Sequence, residues 1–250
     1  MRRAVAIEFR KMHRLRSLPL LIGMVVAVAA LSSASQFAGS TRAGFDDPGA
    51  HPWAALLLGY TLMAAMTSPI LTAVIASRQT DIEHQAGGWI LAAGAGRTAG
   101  ELCRAKLVAL AVLLVPAVLI QSLLVVAAGY AAGIRVPVEV GPWALYTLLL
   151  YLVDVAFCAL HVWLAARVEN QLISVGVGML GAFLAVFSLL LPSVASRAIP
   201  WGYYAVISQA GQSDAGVGYV ASPLGWIAGF LVVVAAAFAL ATIRLDRVER

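Results

Sequence analysis

The chain has 250 residues, of which 62% are hydrophobic and 12% charged, and its mean hydropathy is +0.90. That is more apolar surface than a soluble fold of this length can bury, so the sequence reads as an integral membrane protein. Its two cysteines, Cys103 and Cys158, form no spaced pair, and no quartet of metal ligands clusters anywhere, which argues against a disulfide framework and a zinc site.

The N-terminal leader carries Arg2, Arg3, Arg10, Lys11, Arg14 and Arg16. Val5, Phe9, Met12 and Leu15 fall on one side of a helix, and Arg3, Arg10, Lys11 and Arg14 on the other. Such a helix lies in the membrane interface beside anionic headgroups. Ile7 and Glu8 interrupt the pattern, and a basic flank that merely sets topology is the plainer reading. A secretory signal is disfavoured by the length of the basic leader and the lack of a clean cleavage site.

Six apolar runs follow, at residues 18–37, 54–76, 107–133, 143–166, 172–191 and 223–243. Each is long enough to cross a hydrocarbon core, which takes about 20 helical residues. Fourteen of the Lys and Arg side chains fall on one side of this arrangement: the six of the leader, then Arg78, Arg97, Arg104, Lys106, Arg167, Arg244, Arg247 and Arg250. The other side has Arg42, Arg135 and Arg197. The positive-inside bias therefore predicts that both termini and residues 77–106 are cytoplasmic. Trp53, Trp143 and Trp226 fall at outer ends of spans and Trp163 at an inner end, as an aromatic belt requires. The net charge of +5 belongs to the membrane face, and no nucleic-acid partner is expected.

Residues 77–106, SRQTDIEHQAGGWILAAGAGRTAGELCRAK, interrupt the apolar pattern. A phosphate-binding loop needs a Lys and a hydroxyl after its last glycine; here Gly94, Gly96 and Gly100 lead to Glu101. No βαβ unit surrounds them, so a dinucleotide loop fails as well. Ser208-Gln209-Ala210-Gly211-Gln212 weakly resembles the signature loop of cassette ATPases but is predicted to lie outside the cell. The chain itself is thus expected to bind no ATP, magnesium or other cofactor, and to be no enzyme. Instead, residues 78–93 read as a helix that mixes Arg78, Asp81, Glu83 and His84 with Trp89, Ile90 and Leu91, and residues 94–100 as a turn. That mixture suits docking against another surface.

Six spans, a basic amphipathic leader and the run RQTDIEHQAGGWIL, followed by a small-residue turn and GELCRAK, resemble an ABC-2 type transporter permease. The E-H-x-x-x-x-W spacing is most similar to permeases of lantibiotic immunity and of related peptide or drug export. The resemblance implies an all-α membrane fold of one permease domain, with a coupling helix between spans two and three. That helix would insert into a separate cassette ATPase, which holds ATP and magnesium. Asp81, Glu83, His84, Trp89 and Leu91 would contact the ATPase, and Arg97, with Lys106, would hold the return into span three. It also implies re-entrant helices at the outer mouth, where residues 192–222 are rich in proline and aromatics. A second permease chain, identical or different, residence in the plasma membrane and export of a peptide, drug or lipid-like cargo complete the expectation.

Span four holds the one deep charge, Asp154. At mid-bilayer a carboxylate costs about 2.5–3.5 kcal/mol, so it should face protein or water. His161 lies two helical turns further along the same face. The pair reads either as a proton or cation path, which would suit a secondary transporter, or as packing groups bonded to neighbouring helices; an ATP-driven pump calls for the second. Small residues mark close helix contacts at Gly129-x-x-x-Gly133, Gly225-x-x-x-Gly229 and at Ser174, Gly178 and Ala182. The last group is the expected dimer face. An intramembrane protease would need a nucleophile dyad or metal pair, which the sequence does not offer.

Overall fold

The computed structural model describes residues 2–14, 17–37, 44–85, 87–214 and 216–248. Helix α1 (Arg2–Arg14) precedes α2 (Ser17–Ser33), which a 3-10 turn extends to Phe37. The chain re-enters at Pro52 as α3 (Pro52–Gln85). It then forms α4 (Gly88–Gly94), α5 (Ala99–Ala132), α6 (Val140–Arg167) and α7 (Gln171–Ser188). Two short helices, α8 (Ser193–Ala198) and α9 (Tyr203–Val206), lead to an antiparallel hairpin of β1 (Ala210–Ser213) and β2 (Gly216–Tyr219). The last element is α10 (Leu224–Val248). Among the described residues six helices, α2, α3, α5, α6, α7 and α10, are long and apolar enough to cross a membrane. This is an α-helical, multi-pass membrane protein.

Helix α3 is the axis of the bundle, packed by α2, α5, α6 and α7, whereas α10 leans mainly on α5 and α6. Small side chains along α3, among them Ala54, Ala64, Ala65, Ala73 and Ala76, let its neighbours approach closely. Its 34 residues make a rod of about 51 Å, well beyond the roughly 30 Å hydrocarbon core. The second span therefore does not stop near residue 76. Residues 77–85 continue the same helix, so the charged run Arg78 to His84 is its end and not a separate docking helix. Helix α5 likewise starts at Ala99, where the Thr98 side chain accepts the Glu101 N–H at 3.2 Å.

Two other expectations change. Trp53 and Trp143 are only 2% and 5% exposed; they pack edge to face with ring centroids 6.2 Å apart. Tyr60 stacks on Trp143 at 6.3 Å, and the Trp53 indole N–H donates to the Val136 carbonyl at 2.6 Å. These tryptophans fill the core at one end of the bundle instead of facing lipid, while Trp226 is exposed as a belt residue should be. The expected dimer face is consumed within the chain. Gly178 lies so near Ala73 and the Pro69 carbonyl that a side chain would clash, Ala182 is buried, and Ser174 bonds His161. Their smallness serves the contact of α7 with α3 and α6.

Candidate coupling site

At the basic end of the bundle α1, α3 and α5 meet over a buried group of charges. Lys106, on the first turns of α5, is 0% exposed. Its Nζ donates to Glu8 Oε2 at 2.8 Å, to Glu83 Oε1 at 2.7 Å and to the Gln79 carbonyl at 2.8 Å, using all three of its protons. Lys11 donates to Glu8 Oε1 at 3.1 Å and to Glu83, and Gln79 Nε2 donates to Glu8 Oε2 at 2.7 Å. Two lysines and two glutamates thus form a neutral knot. Burying any one alone would cost several kcal/mol. Burial pulls the Lys11 pKa down, but the carboxylates of Glu83 and Glu8 outweigh it and hold the ammonium above its ordinary value.

The knot accounts for Glu8, the acid that interrupts the apolar face of α1: it is the partner that Lys106 requires. It also moves Glu83 off the expected docking surface. Asp81 stays partly exposed and accepts a hydrogen bond from Gln85.

Gly87, at φ 62°, turns the chain from α3 into α4. A side chain at Gly88 would overlap the Glu83 carboxylate. His84 Nε2 meets the Ala165 carbonyl at 2.9 Å, and the Trp89 indole N–H donates to His84 Nδ1 at 3.3 Å. Together these bonds require the tautomer with its proton on Nε2. Trp89 and His84 therefore brace α4 against α3 and the end of α6. The exposed apolar residues are Ile90 and Leu91, at 80% and 71%. Leu91 is where the sequence places a contact; Ile90 is its unassigned neighbour.

The return into α5 is clamped to α10. The backbone N–H of Arg97 donates to the Ala92 carbonyl at 2.9 Å, while Arg104 pairs with Asp246 at 3.0 Å and Thr98 donates to the same carboxylate. Gly100 sits against this clamp: a methyl there would overlap Asp246 and the Thr242 carbonyl. The three glycines of the turn are thus unequal. Gly96 supplies a left-handed φ of 71°, Gly100 supplies space, and Gly94 has nothing near it. Gly100→Ala is expected to lower the melting temperature of the purified protein, whereas Gly94→Ala should leave it unchanged or raise it slightly.

A family model described as ABC-2 family transporter protein matches residues 4–185, from the first turn of α1 to almost the end of α7. The chain belongs to this family. No curated protein matches it individually. The family is that of a transport membrane component; in this chain α4 lies between the second and third spans, and the charge knot joins the flanks of that stretch to α1.

The deep polar groups of this ABC-2 protein have separate partners. Asp154 Oδ1 accepts the Tyr204 hydroxyl of α9 at 2.8 Å. His161 Nδ1 lies 3.0 Å from Ser174 Oγ of α7. Phe157, between them on α6, stacks against Trp201 and Tyr204 at 5.6 and 5.3 Å. Asp154 and Phe157 thereby seat the segment of α8 and α9 in the bundle, and His161 ties α6 to α7. If Asp154 is such an anchor, Asp154→Asn keeps an acceptor for Tyr204 and transport should survive. Abolished transport at equal protein level would make the charge itself essential.

Proposed function

We propose that this chain is the membrane-spanning permease subunit of an ATP-driven exporter, powered by a separate cassette ATPase that docks on α4. The observation that carries the reading is the pair Ile90 and Leu91, held out at the tip between two helices that outrun the membrane. Exposed leucine and isoleucine beside a tryptophan, on a short helix braced by hydrogen bonds, form a rigid apolar knob. Such a knob fits a cleft, because the short helix that presents it is already held in place and need not be ordered on docking. Trp89 then supports the contact from behind, and Asp81 and Arg97 lie at its polar rim. The knot of Lys106 would pass movement of α4 to α1 and α5, and the Asp246 clamp would pass it to α10.

The reading puts the basic end and both termini in the cytoplasm of a cell whose plasma membrane the chain crosses six times, with a second permease chain completing the pathway. Because the Ser174 face is occupied within the chain, the second copy would meet the exposed side of α7, around Met179 and Phe183, or α10. A peptide, drug or lipid-like cargo fits the apolar surroundings of the outer segment. Orientation has its own test: in a variant lacking Cys103 and Cys158, an impermeant thiol reagent applied to intact cells should label Asp214→Cys and spare Gln85→Cys. The reverse pattern would invert the topology and remove α4 from reach of any cytoplasmic ATPase.

A further inference from the structure

At the end opposite α4, a cavity of about 730 Å³ opens between α3, the end of α7, α8 and the hairpin. Leu58, Leu62 and Val206 form apolar wall, and Ser193 and Gln212 add polar edges. Arg197, on the last turn of α8, is the charged residue among the lining side chains, and no carboxylate joins it there. Its Nε is buried without a hydrogen-bond partner among the described residues. Its guanidinium carbon lies 5.5 Å from the centre of the Trp226 ring, which borders an adjoining cavity that Arg197 also lines, an arrangement that fixes the cation but does not neutralise it.

A guanidinium keeps its proton at any working pH, and its planar fork matches a phosphate or carboxylate. A partly buried, unpaired arginine beside an apolar wall is therefore complementary to a molecule with one anionic group and a hydrocarbon body. We propose that this cavity binds an amphiphile with a phosphate headgroup, its anion on Arg197 and its chain along Leu58 and Leu62. The inference deepens the export reading and rests on it only for the role of the ligand, as cargo or as resident lipid; the site itself stands on the cavity and the cation.

The experiment uses the purified protein in nanodiscs of phosphatidylcholine doped with a photoreactive phosphatidic acid, with a photoreactive diacylglycerol as the uncharged comparison. Adducts are mapped by mass spectrometry. The phosphatidic acid probe should concentrate in residues 188–217, fall about tenfold with Arg197→Gln, as loss of a charge-assisted bond predicts, and largely return with Arg197→Lys. Diacylglycerol labelling should not respond to either change, and Val206→Trp should reduce both by filling the cavity. Equal labelling by the two probes, or phosphatidic acid labelling indifferent to Arg197→Gln and Val206→Trp, would overturn the site. ATP turnover of the complex with its ATPase separates the sources: stimulation by phosphatidic acid, lost in Arg197→Gln, marks cargo, and labelling without stimulation marks a resident lipid. Co-purification of the ATPase with the same variants should be unchanged, so failure of this site and failure of the docking reading are distinguishable.

Discussion

Lys106→Met should destabilise the protein by about 3–5 kcal/mol, because it leaves the carboxylates of Glu8 and Glu83 buried and short of their shared partner. The loss would be visible as a lower unfolding temperature in detergent and as exposure of α1 to limited proteolysis. Removing the acids as well should repair much of it, since Lys106→Met combined with Glu8→Gln and Glu83→Gln leaves no buried carboxylate unpaired and strands only Lys11, whose side chain is 25% exposed. A single variant as stable as the parent would mean that the knot contributes no net attraction. Failure of the triple variant to recover would assign the loss to packing of the lysine stem. Export is the second readout: if the knot transmits movement, the triple variant should fold yet link ATP turnover to transport poorly.

The other large effect belongs to the tip. Ile90→Asp with Leu91→Asp puts two charges where an apolar contact is proposed, and should cost at least about 2 kcal/mol of ATPase association per anchor lost. Both residues are exposed, so the permease alone should melt as before. Trp89→Ala is expected to differ: by removing the bond to His84 it should loosen α4, weakening coupling together with local stability. Asp variants that assemble and export normally would show that α4 is only a solvated turn.

The spans and the family were legible in the sequence because their signals are additive. Long apolar runs, charge asymmetry and the run from Arg78 to Lys106 each depend on residues close in the chain. The charge knot was not, since its partners Glu8, Gln79, Glu83 and Lys106 come from three helices, and a pattern along one helix shows Glu8 only as an interruption. Asp246 was hidden for the same reason. Read alone, a charged helix end such as 78–84 looks solvent-facing, and the sequence therefore points Glu83 outward. Small residues carry no direction either, so Ser174, Gly178 and Ala182 pointed to a close contact without saying that α3 supplies it. The hairpin after α9 is not legible because a run of Ser, Gln and Gly reads as loop; Gly216, at φ 108°, makes its turn.

The central claim, that α4 seats in a separate ATPase, is tested most directly by crosslinking from its tip. With Cys103 and Cys158 replaced, a photoreactive thiol label at Leu91→Cys should crosslink to co-expressed cassette ATPase, at peptides lining one cleft, and the same label at Asp214→Cys should not. Crosslinks from Leu91 to lipid alone, in a complex that still hydrolyses ATP and exports, would contradict the account.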